Sequence, residues 1–273
     1  MSIKRFYRMI TSPLRILPDF IIIGSAKCGT TSLYDYLIQH PNIATASKKE
    51  VIFFDLNYEK GIFWYRSHFP TIITKYLYKL KNKKFVTGEA SPGYIFHPYA
   101  PQRIFKLMPK IQLILLIRNP VDRAYSHYNQ QIKNGKQTLS FEDAINVEQR
   151  LIESGEFKNI LNKGNYDIYN FVSLSHLMSG IYIQQIKSWM DVFPRKQFMI
   201  IHTKDLEEEP DKILSQIFKF LNLPEHKIKN LERKNIGKYK DMNIQTRNFL
   251  IEYFKPYNKK LYEFLGKNFD WDK

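Results

Sequence analysis

Residues 18–33, PDFIIIGSAKCGTTSL, constrain this chain more than any other stretch, because they prescribe a buried strand, a glycine-bounded turn and a helix in immediate succession. Phe20 to Ile23 is short, continuously apolar and β-branched, the pattern of a strand covered on both faces of a parallel sheet. Thr30 to His40 then carries Leu33, Tyr34, Leu37 and Ile38 at helical spacing. Between strand and helix, Gly24 and Gly29 bracket Ser25, Ala26, Lys27 and Cys28, so the loop can offer backbone N–H groups and a helix N-terminus to an anion. A phosphate cradle is the expectation. A corner whose glycines serve packing alone is the alternative.

The same alternation continues along the chain. Strands are expected at Phe85 to Glu89, Ile111 to Ile117 and Gln197 to His202, the second of them strongest and therefore central. Helices are expected over Asn57 to Phe69, Pro101 to Met108, Asn119 to Lys133, Ser140 to Arg150, Ile181 to Val192, Asp211 to Leu221 and Asn243 to Leu265. Asn119-Pro120-Val121-Asp122 is a helix start with cap, N1 proline and first-turn acid. Pro41 to Lys49 reads as polar and irregular, and Lys79 to Lys84 as a solvated connector. Strands alternating with helices imply a single α/β domain over residues 1–273, of the P-loop-type three-layer kind, with a central parallel sheet flanked by helices.

A second anion site is readable at the end of the strong strand. Arg118 leaves it where ligands of open α/β sheets gather, and Ser126 follows a little over two helical turns later. An Arg fork with a hydroxyl grips phosphate well. The net charge of +16 favours anionic partners without choosing among nucleotides, nucleic acid, acidic glycans or a membrane surface. No apolar run approaches the length that crosses a bilayer, and the N-terminal segment lacks a signal-peptide core. Cys28 is the single cysteine, which fits a reducing, cytoplasmic compartment. His68, His97 and His127 are candidates for a cleft wall, but no His stands at metal-ligand spacing from an acid or Cys, so no metal is expected.

Nucleoside-triphosphate loops place Lys after the second glycine. Here Thr30 and Thr31 follow Gly29, and the Lys has moved to Lys27. The form G-x-x-K-x-G-T-T resembles the 5′-phosphosulfate loop of the sulfotransferases that use 3′-phosphoadenosine 5′-phosphosulfate (PAPS). The resemblance implies donor binding by Gly24, Ser25, Ala26, Lys27, Cys28, Gly29, Thr30, Thr31 and Ser32. Arg118, Pro120, Arg123 and Ser126 match the family's R-x-P-x-x-R-x-x-S motif, which gives Arg118 and Ser126 the 3′-phosphate. KNIGKYK, residues 234–240, resembles the loop that closes over the nucleotide, with Gly237 and Lys238 as its core.

Residues 47–64, SKKEVIFFDLNYEKGIFW, resemble the branch acting on heparan sulfate and related glycans, as a soluble bacterial-type member would. That likeness makes Glu50 the catalytic base and Lys49, Phe53, Lys60 and Trp64 acceptor residues. A carboxylate just ahead of a buried apolar run is also placed for partial desolvation, as suits a base. EASPGY, residues 89–94, resembles the family's E-K-[ST]-P-x-Y and adds Glu89, Ser91 and Tyr94. Glu89 is the second candidate base, or a support that bonds Lys27 or a loop amide. Two departures, Ile52 where many glycan enzymes have His and Ala90 where many have Lys, leave the acceptor open.

The implied activity is transfer of a sulfuryl group from PAPS to a hydroxyl, with a carbohydrate as expected acceptor and a small metabolite or lipid as alternative. Nucleic acid is not an expected partner. A P-loop kinase would need Lys at position 30 with an acidic Mg²⁺ ligand. A non-catalytic polyanion or nucleic-acid binder driven by charge would leave the two phosphate motifs without a purpose.

Overall fold

The computed structural model describes residues 3–156, 159, 175–234, 237 and 239–272. In chain order its elements are α1 (Ile3–Ile10), β1 (Phe20–Gly24), α2 (Thr30–Leu37), β2 (Ile43–Thr45), α3 (Gly61–Arg66), α4 (Ile72–Leu80), β3 (Val86–Ala90) and α5 (Ala100–Leu107). There follow β4 (Gln112–Ile117), α6 (Pro120–Lys133), α7 (Phe141–Glu153), α8 (Tyr182–Met190), β5 (Phe198–His202), α9 (Thr203–Glu208), α10 (Pro210–Phe220) and α11 (Ile244–Leu265). The five strands form one parallel sheet in the order β2-β3-β1-β4-β5. The middle strand is thus β1, not the strongly apolar β4 beside it. Both are interior, and every β1 residue is buried.

Alternate strand residues feed two separate cores. Ile21 and Ile23 with Leu113, Leu115 and Ile117 pack against α3, α5, α6, α8 and α11, while Phe20, Ile22, Ile114 and Leu116 pack against α2, α9 and α10. Period-two alternation across a sheet covered on both sides gives the three layers. Helix starts follow their capping chemistry, with Asn119, Ser140 and Asn243 each accepting from a first-turn amide.

Three local expectations are corrected. Residues 57–69 form a 3₁₀ turn, Tyr58–Lys60, and the short α3, because Gly61 at φ 77° breaks the run between them. The stretch 41–49 contains the edge strand β2, whose three residues pair with β3 although the run is too short to show a strand pattern of its own. Part of the supposed connector, Lys79 and Leu80, is the end of α4, a helix that Thr71 caps through its side chain.

Candidate active site

The loop after β1 is held from several sides. Ser25 N donates to Leu116 O at 2.8 Å, and Thr203 Oγ1 donates to both Cys28 O and Ile117 O at 2.9 and 3.0 Å. Tyr182 OH donates to Arg118 O at 2.9 Å, tying the end of β4 to α8. Gly24 is required by close approach, since a Cβ there would stand 2.5 Å from the Ile95 side chain. Gly29 caps α2 at φ 88°, a left-handed conformation that suits glycine. Lys27 is also left-handed at φ 70°, and strain of that kind gathers at functional loops.

A cleft of about 640 Å³ runs along this edge. Of the predicted donor residues, Ser25, Ala26, Lys27, Gly29, Thr30, Thr31, Ser32, Arg118, Ser126 and Gly237 line it. Gly24 and Cys28 do not, because Gly24 packs under Ile95 and Cys28 is buried in the α2-side core with Sγ 3.6 Å from Tyr182 OH. Burial pushes the Cys28 thiol up, as befits a loop filler. Lys238 lies outside the described residues. The closing segment is nonetheless attached at both ends: Lys234 N donates to Ser32 Oγ at 2.9 Å, and Tyr125 OH donates to Lys240 O at 2.9 Å.

Lys27 Nζ donates to Gln130 Oε1 at 2.5 Å, across from the Arg118 guanidinium, which reaches Lys27 O at 3.4 Å. Burial first, and then Arg118, pushes the Lys27 ammonium down. Ser126 is buried at the cleft wall, and the Ser25 hydroxyl is a buried polar atom without a partner among the described residues. Arg123, buried and also lining the cleft, leaves its Nε without a partner among the described residues while donating to His176 O. Such orphaned polar atoms beside three cations are what a polyanionic ligand would satisfy.

The other end of the cleft holds carboxylates. Glu50 lines it with 45% of its side chain exposed, and it pairs with Lys49 Nζ at 2.9 Å. Lys49 also donates to Thr31 Oγ1 at 2.6 Å and so joins the acid to the phosphate loop. Ile52, at φ 50°, is a β-branched residue in the left-handed region, held there by Ser91 Oγ on its amide and Asn57 Nδ2 on its carbonyl.

One cleft residue, Asp55, was missed by sequence reasoning, and His97, a candidate for the cleft wall, does line it. Asp55 is buried at the cleft wall, and burial raises its carboxyl to about 6. His97 accepts from Tyr99 N at Nδ1, so its neutral ring carries the proton on the buried, unpartnered Nε2. Burial holds that ring near 4, neutral at physiological pH. Asp55 follows the Phe53-Phe54 pair directly, and that position was the available signal. His127 also lines the cleft, whereas His68 does not.

Phe53, Lys60, Trp64, Glu89, Ser91 and Tyr94 are not among the cleft-lining residues. Phe53 stacks on Tyr65 in the core and Lys60 covers the Trp64 ring at 4.7 Å. Glu89 touches neither Lys27 nor a loop amide. Its fully buried carboxylate accepts from Val51 N at 3.2 Å, Ser91 Oγ at 2.6 Å, Tyr65 OH at 2.9 Å and Tyr94 OH at 3.2 Å, and so fastens the Glu50 segment to β3.

Burial raises the Glu89 carboxyl from 4.5 to about 7. Because the folded state binds this proton more tightly, its contribution is largest at low pH and falls by about 3 kcal/mol between the unfolded and folded titrations, in the window from pH 4.5 to 7. Glu89→Gln lacks this titration but cannot accept from all four donors. Its stability deficit relative to wild type, measured by denaturant midpoints, should therefore shrink as pH rises from 5 to 7.5. A deficit constant across that window would deny the raised carboxyl.

A sequence model of the sulfotransferase domain matches residues 17–271. The chain is 31% identical to the membrane-associated sulfotransferase kil1 of Dictyostelium discoideum, over 96% of this chain and 68% of that protein. It is 30% identical to mouse heparan sulfate glucosamine 3-O-sulfotransferase 5, over 93% of this chain and 74% of that protein. With a bifunctional heparan sulfate N-deacetylase/N-sulfotransferase 1 of Caenorhabditis elegans it shares 30% identity but spans only 30% of that protein's length. A sulfotransferase structure from Alicyclobacillus acidocaldarius superposes with a TM-score of 0.70 at 26% identity, covering 94% of this chain and 100% of that one. With the loop of Lys27 and the Arg118 strand end meeting in one cleft, and the domain match running nearly end to end, this chain belongs to the sulfotransferase family.

Proposed function

We propose that residues 1–273 act as one domain that transfers the sulfuryl group of PAPS to an acceptor hydroxyl of a carbohydrate. The observation that carries this reading is the single cleft in which Lys27, Arg118, Ser126 and Glu50 are brought together from four separate segments. The donor arrives with its sulfuryl group already activated, which is the chemistry it supplies. Residues 25–32 and Lys27 would hold the 5′-phosphosulfate, and Arg118 with Ser126 the 3′-phosphate. Glu50 would take the proton from the acceptor hydroxyl as its oxygen bonds to sulfur. Lys27 would stabilise charge on the phosphate oxygen as the bond from that oxygen to sulfur breaks. Asp55 and His97 give the acceptor end one hydrogen-bond acceptor and one donor.

Carbohydrate is favoured by the glycan-type segment around Glu50 and by relatives whose names specify heparan sulfate. A panel of glycans, glycolipids and small alcohols incubated with PAPS and read by mass shift tests the acceptor directly; modification of small alcohols alone would sink the carbohydrate reading. Cytoplasmic residence is our assignment from the lone Cys28.

Donor recognition makes a separate expectation. The bisphosphate product PAP, without added Mg²⁺, should raise Tm by roughly 5–10 °C at a concentration a hundredfold above its Kd. AMP, lacking the 3′-phosphate, should do far less at the same concentration. Equal shifts would count against the roles of Arg118 and Ser126, and Mg²⁺-dependent ATP hydrolysis would favour a kinase.

A further inference from the structure

Two helices away from the cleft turn their apolar sides to solvent. In α1, Ile3, Phe6, Tyr7 and Ile10 recur at i, i+3, i+4 and i+7, and all four are exposed while no residue of the helix is buried. In α4, Ile72, Ile73, Tyr76, Leu77 and Leu80 make a second stripe, each at least 50% exposed. The less exposed side of α4 instead carries Thr74 and Tyr78, with Tyr78 edge-on to Phe85 at 5.1 Å. This is the reverse of a helix that packs its apolar face on a core.

The helices are joined near their ends. Arg15, just beyond α1, bridges Thr71, the cap of α4, and Ile16 N donates to Pro70 O at 3.1 Å. Leu14, between α1 and the bridge, is also exposed. Around them the charge is mostly positive, with Asp19 beside Lys75 as an exception. Residues 3–18 and 60–88 together contain eleven Lys and Arg and no Asp or Glu. Lys4, Arg5, Lys75, Lys79, Lys81 and Lys83 are all exposed.

We propose that α1 and α4 form a docking face for an anionic lipid bilayer, lying in its interface rather than crossing it. Among the described residues no helix is long and apolar enough to cross a membrane. Apolar stripes bordered by cations suit the boundary between headgroups and acyl chains, where Tyr is at home and Lys can extend to the phosphates. A second copy of the chain would bring two strongly basic surfaces together, which the like charge opposes. The cytoplasmic leaflet, rich in anionic lipid, supplies the complementary field.

Vesicle flotation tests this with the whole protein. Retention is expected on vesicles of phosphatidylcholine mixed with phosphatidylserine, little on phosphatidylcholine alone, and loss as NaCl is raised. Phe6→Ser with Leu77→Ser should lower partitioning at least tenfold, since each removes apolar area from the interface. Lys79→Gln, Lys81→Gln and Lys83→Gln should each lower it about fivefold. Both sets of variants should keep the wild-type Tm and PAP binding, because neither touches the cleft. Failure to bind mixed vesicles, equal binding to neutral ones, or wild-type binding by both sets of variants overturns the proposal. So does a dimer in sedimentation velocity that the Phe6 and Leu77 substitutions dissociate, which would make the face a self-association surface.

Discussion

Glu50→Gln is expected to lower kcat by roughly 10²- to 10⁴-fold, the range a general base contributes, while PAP affinity stays near wild type. The split follows from position. The Glu50 carboxylate lies 2.9 Å from Lys49 Nζ and is joined through that lysine to Thr31, so in the proposed reading it would face the acceptor rather than the donor phosphates. Its partial exposure leaves room for an incoming hydroxyl, whereas Glu89 is sealed beneath four donors and has no route to the cleft. The structure therefore changes the competitor for the role. Asp55 is another carboxylate that lines the cleft, already raised to about 6 by burial. Asp55→Asn should raise the acceptor KM more than it lowers kcat, as loss of a positioning contact does. Should Glu50→Gln turn over normally while Asp55→Asn binds PAP but is inactive, the proton goes to Asp55 instead.

The layered sheet and the loop side of the cleft were legible because their signals are local and strong. The apolar β1, the two glycines and the Asn119-Pro120 start each act through backbone geometry within a few residues, and each falls where the pattern puts it. The acceptor end was legible only in part, because its residues are sorted by tertiary burial. Glu50, Glu89 and Asp55 are equivalent acids in the sequence; exposure and hydrogen bonding separate them. Phe53, Ser91 and Tyr94 belong to motif segments yet serve beneath the cleft surface, holding the backbone that presents Glu50. The edge strand β2 was hidden for a related reason, since its pairing with β3, rather than its own composition, makes it a strand. The outward stripes of α1 and α4 were invisible because periodicity reports an apolar face without saying whether the core covers it.

Lys27→Ala should lower kcat by roughly 10²- to 10³-fold at saturating donor, the scale of losing one preorganised charge-stabilising group. Lys27 sits at a left-handed φ of 70°, lines the cleft, and rests its Nζ on Gln130 Oε1 at 2.5 Å in a site already made cationic by Arg118. Burial and that neighbour both disfavour the ammonium before ligand arrives, so an incoming polyanion relieves the cost. Charge that grows on the leaving phosphate oxygen makes the interaction strongest in the transition state, which is why kcat rather than KM should carry the loss. Gln130→Ala removes only the resting partner and should cost less than Lys27→Ala. A Lys27→Ala enzyme with unchanged kcat and a raised donor KM would reduce Lys27 to ground-state binding, and Arg118 or Lys49 would then have to stabilise the leaving oxygen.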